Sequence, residues 1–269
     1  MKTQNSLSDS LKSVFAAIII PIEIAIAVCI YIFVLGDPSH FQGNDPANHP
    51  IQGDYFGIVY KGGPIVPILL AMLMITITFG IERAITISKA KGKGSVRRFV
   101  LKIRNLIGTN NIGAAIAECD RQKGSVANVV KAGLLKFNEL SKNTTLETEK
   151  KVLLVQKDIE ETTQLEMPML EKNLVIIATL VSIATLLGLL GTVMGMIKAF
   201  AALATAGAPD SVGLANGISE ALINTALGIG TSAIAIVLYN YFTSAIDGLT
   251  HAIDETSFSI IQNFTAQNK

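Results

Sequence analysis

Four long runs of apolar residues alternate with polar stretches along the chain. A bilayer core about 30 Å thick needs roughly 20 apolar residues in a helix, and each run has about that length. The runs predict membrane-spanning helices at residues 13–35, 62–81, 173–198 and 214–246. The third and fourth carry the clearest signal, because Glu220 is the one formal charge within residues 214–246.

Helical periodicity also appears in the polar stretches. Residues 99–116 repeat apolar positions at helical spacing, and their Gly and Asn breaks predict short helices. Residues 145–172 predict an amphipathic helix that continues into the third span with only Pro168 as an interruption. Residues 247–269 predict a helical tail after the fourth span. The pattern as a whole predicts an all-α membrane protein with long helices that extend into an aqueous helical region.

Basic residues give the predicted orientation. Residues 82–172 hold 17 of the 22 Lys and Arg residues, which places this helical region in the cytoplasm. The loops at residues 36–61 and 199–213 hold one and none, which places both on the outer side. Residues 1–35 are then predicted to form a cytoplasmic N-terminal segment and the first span. Because the chain has four predicted spans, both termini are predicted to be cytoplasmic. Lys2 and Lys12 precede this span as in a signal peptide, but its length and its lack of a small-residue cleavage site favour an uncleaved anchor.

The composition narrows the possible functions. Charged residues make up 16% of the chain, against about a quarter in soluble domains, and hydrophobic residues make up 50%. A net charge of +1 and the absence of Trp argue against nucleic-acid binding. Two Cys and three scattered His predict no disulfide framework, metal site or cofactor, and there is no phosphate-binding loop or nucleophile elbow. We therefore predict that the chain is not an enzyme and that any work it does draws on a transmembrane gradient.

Glu220 is the most informative residue, because a carboxyl group inside a membrane helix is costly unless it is neutral, paired or hydrated. Burial favours the neutral form of a carboxyl group, which predicts that Glu220 accepts and releases protons. A structural hydrogen bond near the outer surface is the alternative. If the spans end at Lys198 and Leu214, Thr192 and Glu220 lie at the same depth, and antiparallel helices are predicted to place them in one layer.

Other polar residues form stripes on the last two spans, since a helix turns about 100° per residue. The third span has one stripe of hydroxyl residues, Ser182, Thr185 and Thr192. The fourth span has two, Glu220 with Asn224 and Thr231, and Thr225 with Ser232. Single Ser and Thr residues usually bond back to their own helix, but aligned stripes are typical of a hydrated or proton-conducting surface. Two stripes on one helix predict two different neighbours.

Small residues and one further carboxyl group complete the candidate set. Gly188, Gly191 and Gly195 form a face that allows close helix packing. Glu23 in the first span is expected to pair with a neighbouring helix or with a partner chain.

Two segments carry a family resemblance, LGLLGTVMGMIKAF at residues 187–200 and GISEALINTALGIGTSAIAIVLYNYF at residues 217–242. Together they resemble the MotA/TolQ/ExbB proton-channel family, and its ExbB branch in particular. The resemblance covers residues 62–265 and implies a three-helix core, to which residues 1–35 add an extra N-terminal transmembrane helix. The family's pore-facing positions fall on Thr192, Glu220 and Thr225. The polar stripes add secondary pore-lining candidates at Ser182, Thr185, Asn224, Thr231 and Ser232, of which Asn224 departs from the family pattern.

The resemblance also implies an assembly and a function. Five such chains would enclose the single helices of an ExbD-like dimer in the inner membrane of a double-membraned bacterium, and a partner aspartate would be the main proton carrier. The two outer loops would then be periplasmic. A TonB-like protein would pass the resulting motion to outer-membrane transporters, so that the proton-motive force energises uptake.

Other functions remain compatible with the sequence. A TolQ-like motor for envelope integrity is the nearest alternative, and a MotA-like role is disfavoured by the Glu-Ala-Leu run at residues 220–222. A non-conducting membrane scaffold would use the polar residues only for packing. A solute transporter is disfavoured because the sequence shows no inverted repeat and no pair of broken helices.

Overall fold

The computed structural model describes residues 3–142, 145–204 and 210–267. Lys2 of the predicted N-terminal segment and residues 205–209 of the predicted second outer loop lie outside the described residues. The structure is 87% helical, and within its described part β pairing is limited to one bridge between Phe41 and Pro50. The α-helices are α1 (Thr3–Cys29), α2 (Tyr55–Tyr60), α3 (Val66–Lys91), α4 (Val96–Gly108), α5 (Ile112–Gln122), α6 (Ser125–Ser141), α7 (Thr148–Glu171), α8 (Leu174–Leu203) and α9 (Ser211–Gln267).

Within the described residues, four segments are long and apolar enough to cross a membrane. They are Phe15–Leu35, where α1 continues into a π-helical turn, Gly63–Gly108, Thr148–Leu203 and Ser211–Ala266. These segments overlap the four apolar runs, and the prediction of an all-α membrane protein is confirmed. The assignment of each loop to one side of the membrane stays a prediction.

The chain divides into two compact units, and the first consists of Met1–Ile81 with Val175–Tyr239. This unit contains α1, α2, most of α3, α8 and the first half of α9. Leu69 and Phe79 of α3, Ile177 of α8 and Ala235 of α9 are almost completely buried within it. The apolar runs therefore form the interior of this unit as well as its lipid-facing surface.

The second unit consists of Glu82–Leu174 with Asn240–Lys269. Helix α4 buries Phe99, Val100, Ile103 and Ile107, a set with the spacing of one helix face. The short helices expected within residues 99–116 are α4 and α5, and the chain turns between them where Asn110 adopts a φ of 55°. Phe137 of α6 meets Phe264 of α9 edge to face, with ring centroids 4.8 Å apart.

The break before the third span lies later than the sequence predicted. Pro168 lies inside α7, and the helix ends at Glu171, three residues further on. Asn173 then takes a φ of 66°, a left-handed conformation that Asn tolerates better than most residues. Arg83 of α3 donates to the carbonyl of Leu170 at 3.0 Å, which satisfies an acceptor in the last turn of α7. The expectation of near continuity holds, because only Lys172 and Asn173 separate α7 from α8.

The fourth span and the predicted tail form one helix, α9, with 57 residues. No Pro interrupts the sequence between Ser211 and Gln267, so the hydrogen-bond ladder has no obligatory gap. At its start, the Asp210 carboxylate accepts from the amides of Val212 and Gly213 at 3.1 and 2.9 Å.

Residues 36–61 were predicted only as a polar loop, but they are locally folded. His40 Nδ1 lies 2.7 Å from Asp54 Oδ2, and Asp54 also caps α2 by accepting from the amides of Phe56 and Gly57. The hydrogen bond from His40 is the main cause that holds the pKa of Asp54 below its usual value, with the α2 amides acting in the same direction. Lys61 donates to the carbonyls of Pro46 and Ala47 at 2.8 and 3.1 Å, which closes the loop.

Candidate functional site

Helices α8 and α9 approach closely because their facing positions are glycines. A Cβ on Gly195 would lie 2.6 Å from the amide nitrogen of Ala221 and 2.7 Å from the carbonyl of Gly217, so no side chain fits there. A Cβ on Gly188 would lie 3.1 Å from the Cα of Gly228. Gly191 also faces α9, where a Cβ would lie 2.7 Å from the Cγ of Asn224. The three glycines selected from the sequence all line this contact, and they let backbone and short polar side chains meet.

Thr192 of α8 and Thr225 of α9 share a hydrogen bond between their hydroxyl groups. Each hydroxyl also lies within bonding distance of its own helix, with Thr192 3.2 Å from the carbonyl of Gly188 and Thr225 3.1 Å from that of Ala221. One hydroxyl therefore donates across the contact while the other donates back to its helix, and the pair can exchange these roles. By exchanging the donor and acceptor roles, such a pair can reverse the direction of the hydrogen bond between two helices in apolar surroundings.

Glu220 forms an ion pair with Lys198 of α8, with Nζ 2.5 Å from Oε1. The Glu220 side chain is 11% exposed and the Lys198 side chain is 50% exposed, so the carboxylate is buried while the ammonium reaches out of the contact. The Glu220 carboxylate is therefore compensated by a cation in this structure. The sequence predicts Lys198 only as the end of the third span. Its role as the partner of Glu220 was not predicted, although a lysine side chain is long enough to reach a carboxylate on the neighbouring helix.

The predicted layer of Thr192 with Glu220 is wrong. Thr192 meets Thr225, and Glu220 meets Lys198 one to two turns closer to the loop. The expected register assumed that the spans end at Lys198 and Leu214, but α8 runs on to Leu203 and α9 begins at Ser211. Thr225, the observed partner of Thr192, lies five residues after Glu220, which is about 1.4 helical turns.

Asn224 connects the same layer to the start of α3. Its side chain is fully buried, its Nδ2 donates to the carbonyl of Gly62 at 2.8 Å, and its Oδ1 has no hydrogen-bond partner. Gly63 follows with a φ of 77°, and a Cβ there would lie 2.6 Å from Glu220 Oε1. Glycine is thus required at residue 63 both by its conformation and by the carboxyl group beside it.

Both stripes of α9 contact α8, so the prediction of a separate neighbour for each stripe does not hold in this simple form. Glu220 pairs with Lys198 and Asn224 lies against Gly191, and this stripe also reaches Gly62 and Gly63 before α3, whereas Thr225 contacts α8 through Thr192. Ser232 also faces α8, where its hydroxyl donates to the carbonyl of Val181 at 2.7 Å. Thr231 is buried on the same stripe as Glu220 and Asn224.

Two residues of the α8 stripe do not join this layer. Thr185 donates back to the carbonyl of Val181 at 3.3 Å, and Ser182 is exposed on the unit. The structure therefore forms two successive polar contacts between α8 and α9, Thr192 with Thr225 and Lys198 with Glu220. Asn224 lies between Glu220 and Thr225 along α9, and Ser232 lies two turns beyond Thr225. Whether any of these residues lines a pore stays a prediction.

The described residues contain no group of three or more His, Cys, Asp or Glu that could hold a metal ion. Cys29 and Cys119 are free thiols. Burial is the main cause that raises the pKa of Cys119 to about 12, so this thiol stays protonated near neutral pH. The chemistry that the described layer can offer is that of hydroxyl, amide, carboxylate and ammonium groups.

Comparison with known proteins gives a consistent result. The family model for the MotA/TolQ/ExbB proton channel family matches residues 122–255, which contain the whole α8–α9 contact. The biopolymer transport protein ExbB of Pseudomonas putida is 28% identical over 204 residues, which are 76% of this chain and 61% of that protein. The Tol-Pal system protein TolQ of Pseudomonas aeruginosa is 30% identical over 139 residues, 49% of this chain and 60% of that protein.

A putative biopolymer transport protein, ExbB-like 3 of Synechocystis sp., is 32% identical over 111 residues, 40% of this chain and 49% of that protein. The matched segments thus span between about half and three fifths of these relatives' own length. Helices α1 and α3 lie outside the segment that the family model matches.

Proposed function

This chain belongs to the MotA/TolQ/ExbB proton channel family, and we propose that it is the proton-channel subunit of an inner-membrane motor. In this proposal the motor uses the proton-motive force to energise TonB-dependent uptake across the outer membrane. The chain acts as a multi-pass subunit without enzyme activity of its own, and both termini lie in the cytoplasm.

The polar layer between α8 and α9 is the observation that carries the proposal. Thr192, Thr225, Asn224 and Glu220 lie together in helices that are otherwise apolar, and polar groups are expensive in a membrane unless they serve a path or a partner. The unpartnered, buried Oδ1 of Asn224 supports a water or a partner group at this depth.

Each residue has a proposed role. The hydroxyl groups of Thr192 and Thr225 relay hydrogen bonds along the pore wall, and Asn224, Thr231 and Ser232 extend the polar surface. Glu220 sets the charge near the outer mouth, and Lys198 holds it in place. The mobile proton is carried by an aspartate on an ExbD-like single-span partner, which the family resemblance implies.

The proposed assembly is a ring of five chains around a dimer of the ExbD-like partner, embedded in lipid. A TonB-like protein receives the motion. The exposed apolar side chains of the membrane segments, among them Leu186, Leu190, Val193 and Leu222, supply surface for neighbouring chains or lipid.

A TolQ-like role in envelope integrity is the second candidate, and the similarity to TolQ of Pseudomonas aeruginosa favours it. The two roles differ in what a deletion strain loses. Loss of energised uptake with an intact envelope supports the TonB-linked role. Leakage of periplasmic proteins with normal uptake supports the TolQ-like role.

The proposal is tested by the variants Glu220→Gln and Glu220→Ala in the full chain, expressed in its native host. We expect both to lose energised uptake while the complex still co-purifies with its single-span partner. Glu255→Gln is the matched control, because it makes the same chemical change on α9 in an exposed ion pair with Arg104. Uptake should be unchanged in this control.

A stricter test combines Thr192→Val, Glu220→Ala and Thr225→Val in one chain. Normal uptake at the wild-type protein level would refute the channel role and favour a scaffold whose polar residues serve packing alone. Proton flux in vesicles that contain the purified complex provides the direct measurement.

A further inference from the structure

Glu23 of α1 is a second buried carboxyl group in the membrane, far from the family-matched segment in sequence. It lies eight residues after Phe15 and twelve before Leu35 within the first candidate span. At 1.5 Å per residue these separations are about 12 and 18 Å, so Glu23 is near the middle of the bilayer core. Its exposed fraction is 5%, although most of its neighbours on α1 are exposed.

Thr78 of α3 is the side chain that Glu23 faces. The Thr78 hydroxyl donates a hydrogen bond to Glu23 Oε1, while Glu23 Oε2 has no partner. Thr76, also on α3, donates its hydroxyl hydrogen bond to the carbonyl of Met72 at 2.8 Å. The hydrogen bond to Glu23 is therefore donated by Thr78. One oxygen of the carboxyl group is therefore hydrogen-bonded, and the other is buried without a hydrogen-bond partner among the described residues.

No cation compensates Glu23 within the described residues. Between residues 66 and 81, α3 has no ionisable side chain. The other ionisable groups on the membrane segments of this unit are Cys29 and Tyr31 near Glu23 on the first span, Lys198 on α8, and Glu220 and Tyr239 on α9. Lys198 is bound to Glu220, and Tyr31 donates to the carbonyl of Tyr60 at 3.2 Å.

This environment differs from that of Glu220 in one decisive respect. Glu220 has an ammonium group beside it, which compensates a negative charge. Glu23 has one neutral hydroxyl, and a bare carboxylate in an apolar medium is far more costly than a neutral carboxyl group. The two membrane carboxyl groups are therefore suited to opposite charge states.

We propose that Glu23 and Thr78 form a proton-binding site in the membrane, separate from the layer around Glu220. The ligand is a proton on the Glu23 carboxyl group, and the neutral group keeps α1 packed on α3. Both residues lie outside the segment that the family model matches, and Glu23 lies on the extra N-terminal helix.

The test uses the full chain in native membranes and dicyclohexylcarbodiimide, which modifies protonated carboxyl groups in apolar surroundings. The modified residue is identified by peptide mass spectrometry over a series of pH values. A Glu220→Gln background removes the other carboxyl group that the membrane segments of the first unit carry. We expect modification of Glu23 that declines as the pH rises and is absent in Glu23→Gln.

Thr78 provides the matched variants. A hydrogen bond donated by Thr78 favours the charged carboxylate over the neutral form. Thr78→Val is therefore expected to preserve the modification to a pH about one unit higher, and Thr78→Ser to behave like the wild type. A purely structural contact would leave the pH profile unchanged in both variants, and that result would overturn the proposal.

Infrared difference spectroscopy of the same membranes gives a readout that does not depend on access of the reagent. The band of a neutral carboxyl group should be present in the wild type and absent in Glu23→Gln. Absence of both the band and the modification would overturn the proposal. Protection of Glu23 by sodium or potassium ions would also overturn it, because it would indicate a cation held by an ionised carboxylate.

Discussion

The side-chain amide of Asn224 donates a hydrogen bond to the backbone carbonyl of Gly62, 162 residues earlier in the chain. Asn224 lies within the segment that the family model matches, and Gly62 lies outside it. The polar layer is therefore not a property of the α8–α9 contact alone. The segment just before α3 also contributes to it through the carbonyl of Gly62. A pattern of side chains cannot predict such a backbone acceptor.

The bond between Thr192 and Thr225 should make a small but measurable contribution to stability. Hydrogen bonds between membrane helices are worth about 0.6 kcal/mol on average and up to about 1.7 kcal/mol. We expect a double-mutant cycle of Thr192→Val and Thr225→Val to give a coupling energy in this range, measured by reversible unfolding in mixed micelles. A cycle of Thr185→Val with Thr225→Val is the control and should show no coupling, because Thr185 bonds to its own helix.

Gly195 should not accept even one methyl group. Its Cβ would lie within 3 Å of backbone atoms of Ala221 and Gly217, so the helices themselves would have to separate. We expect Gly195→Ala to destabilise the protein by about 1–3 kcal/mol. Thermal unfolding of the purified chain in detergent measures the effect.

Gly230 supplies the matched control on α9. A Cβ at Gly230 would meet nothing within 4 Å. Gly230→Ala should therefore be neutral or mildly stabilising, since Ala is the better helix former. Equal losses of stability in the two variants would contradict the close packing of α8 and α9 at Gly195.

The sequence predicted most of the fold but only part of the site. The apolar runs predicted the four membrane segments. The phase of 100° per residue separated Thr225 from Asn224, and only Asn224 reaches the carbonyl of Gly62 in addition to α8. The predicted register was wrong because depth counted from assumed helix ends does not decide which residues meet. Helix α8 runs on to Leu203, α9 begins at Ser211 after its capping residue Asp210, and Thr192 meets Thr225. The partner of Glu220 was missed because the length of a lysine side chain, not its position, brings Lys198 to the carboxylate.

Arg83 is expected to be a main source of stability in the second unit. It is 2% exposed, donates to the carbonyl of Leu170, and forms an ion pair with Glu82 at 2.5 Å. Arg83→Ala removes these charged hydrogen bonds, and we expect a loss of about 2–3 kcal/mol. Arg104→Ala is the control, because its ion pair with Glu255 is exposed and should contribute less than about 1 kcal/mol.

The rate of alkylation of the buried thiol of Cys119 can measure the loss of stability in Arg83→Ala, with no need to introduce a new reporter residue. Its high pKa and burial make alkylation slow until the second unit opens. In a Cys29→Ala background, Arg83→Ala should accelerate alkylation of Cys119 at least about tenfold. The reason is that a loss of about 1.4 kcal/mol in the free energy of opening raises the open population tenfold, and the expected loss is larger. An unchanged rate would show that Arg83 does not hold this unit closed.

The loop at residues 36–61 should lose its structure in acid. Because the folded state lowers the pKa of Asp54, its carboxylate stabilises the loop at every pH above the usual aspartate range. This stabilisation is lost as the pH falls through the lowered pKa and the carboxyl group takes up a proton. Hydrogen exchange at the amides of Phe56 and Gly57, corrected for intrinsic rates, should show protection at neutral pH and its loss in acid.

Asp54→Asn removes the titrating group and should lower this protection at neutral pH while removing its pH dependence. Asp45→Asn, in the same loop, changes a carboxylate that accepts only the nearby amide of Ala47 and has no imidazole partner. The acid transition should persist in that control. Its disappearance there would assign the transition to Asp45 instead.

The contact between Glu23 and Thr78 has a consequence for how the chain is made. The ribosome releases Glu23 55 residues before Thr78, a delay of about 3–11 s at ordinary elongation rates. An acidic residue at the centre of a lone inserting helix costs about 3 kcal/mol on translocon scales. The first helix therefore leaves the ribosome before the hydroxyl group that faces Glu23 has been made, and the contact with Thr78 forms only after α3 has followed it.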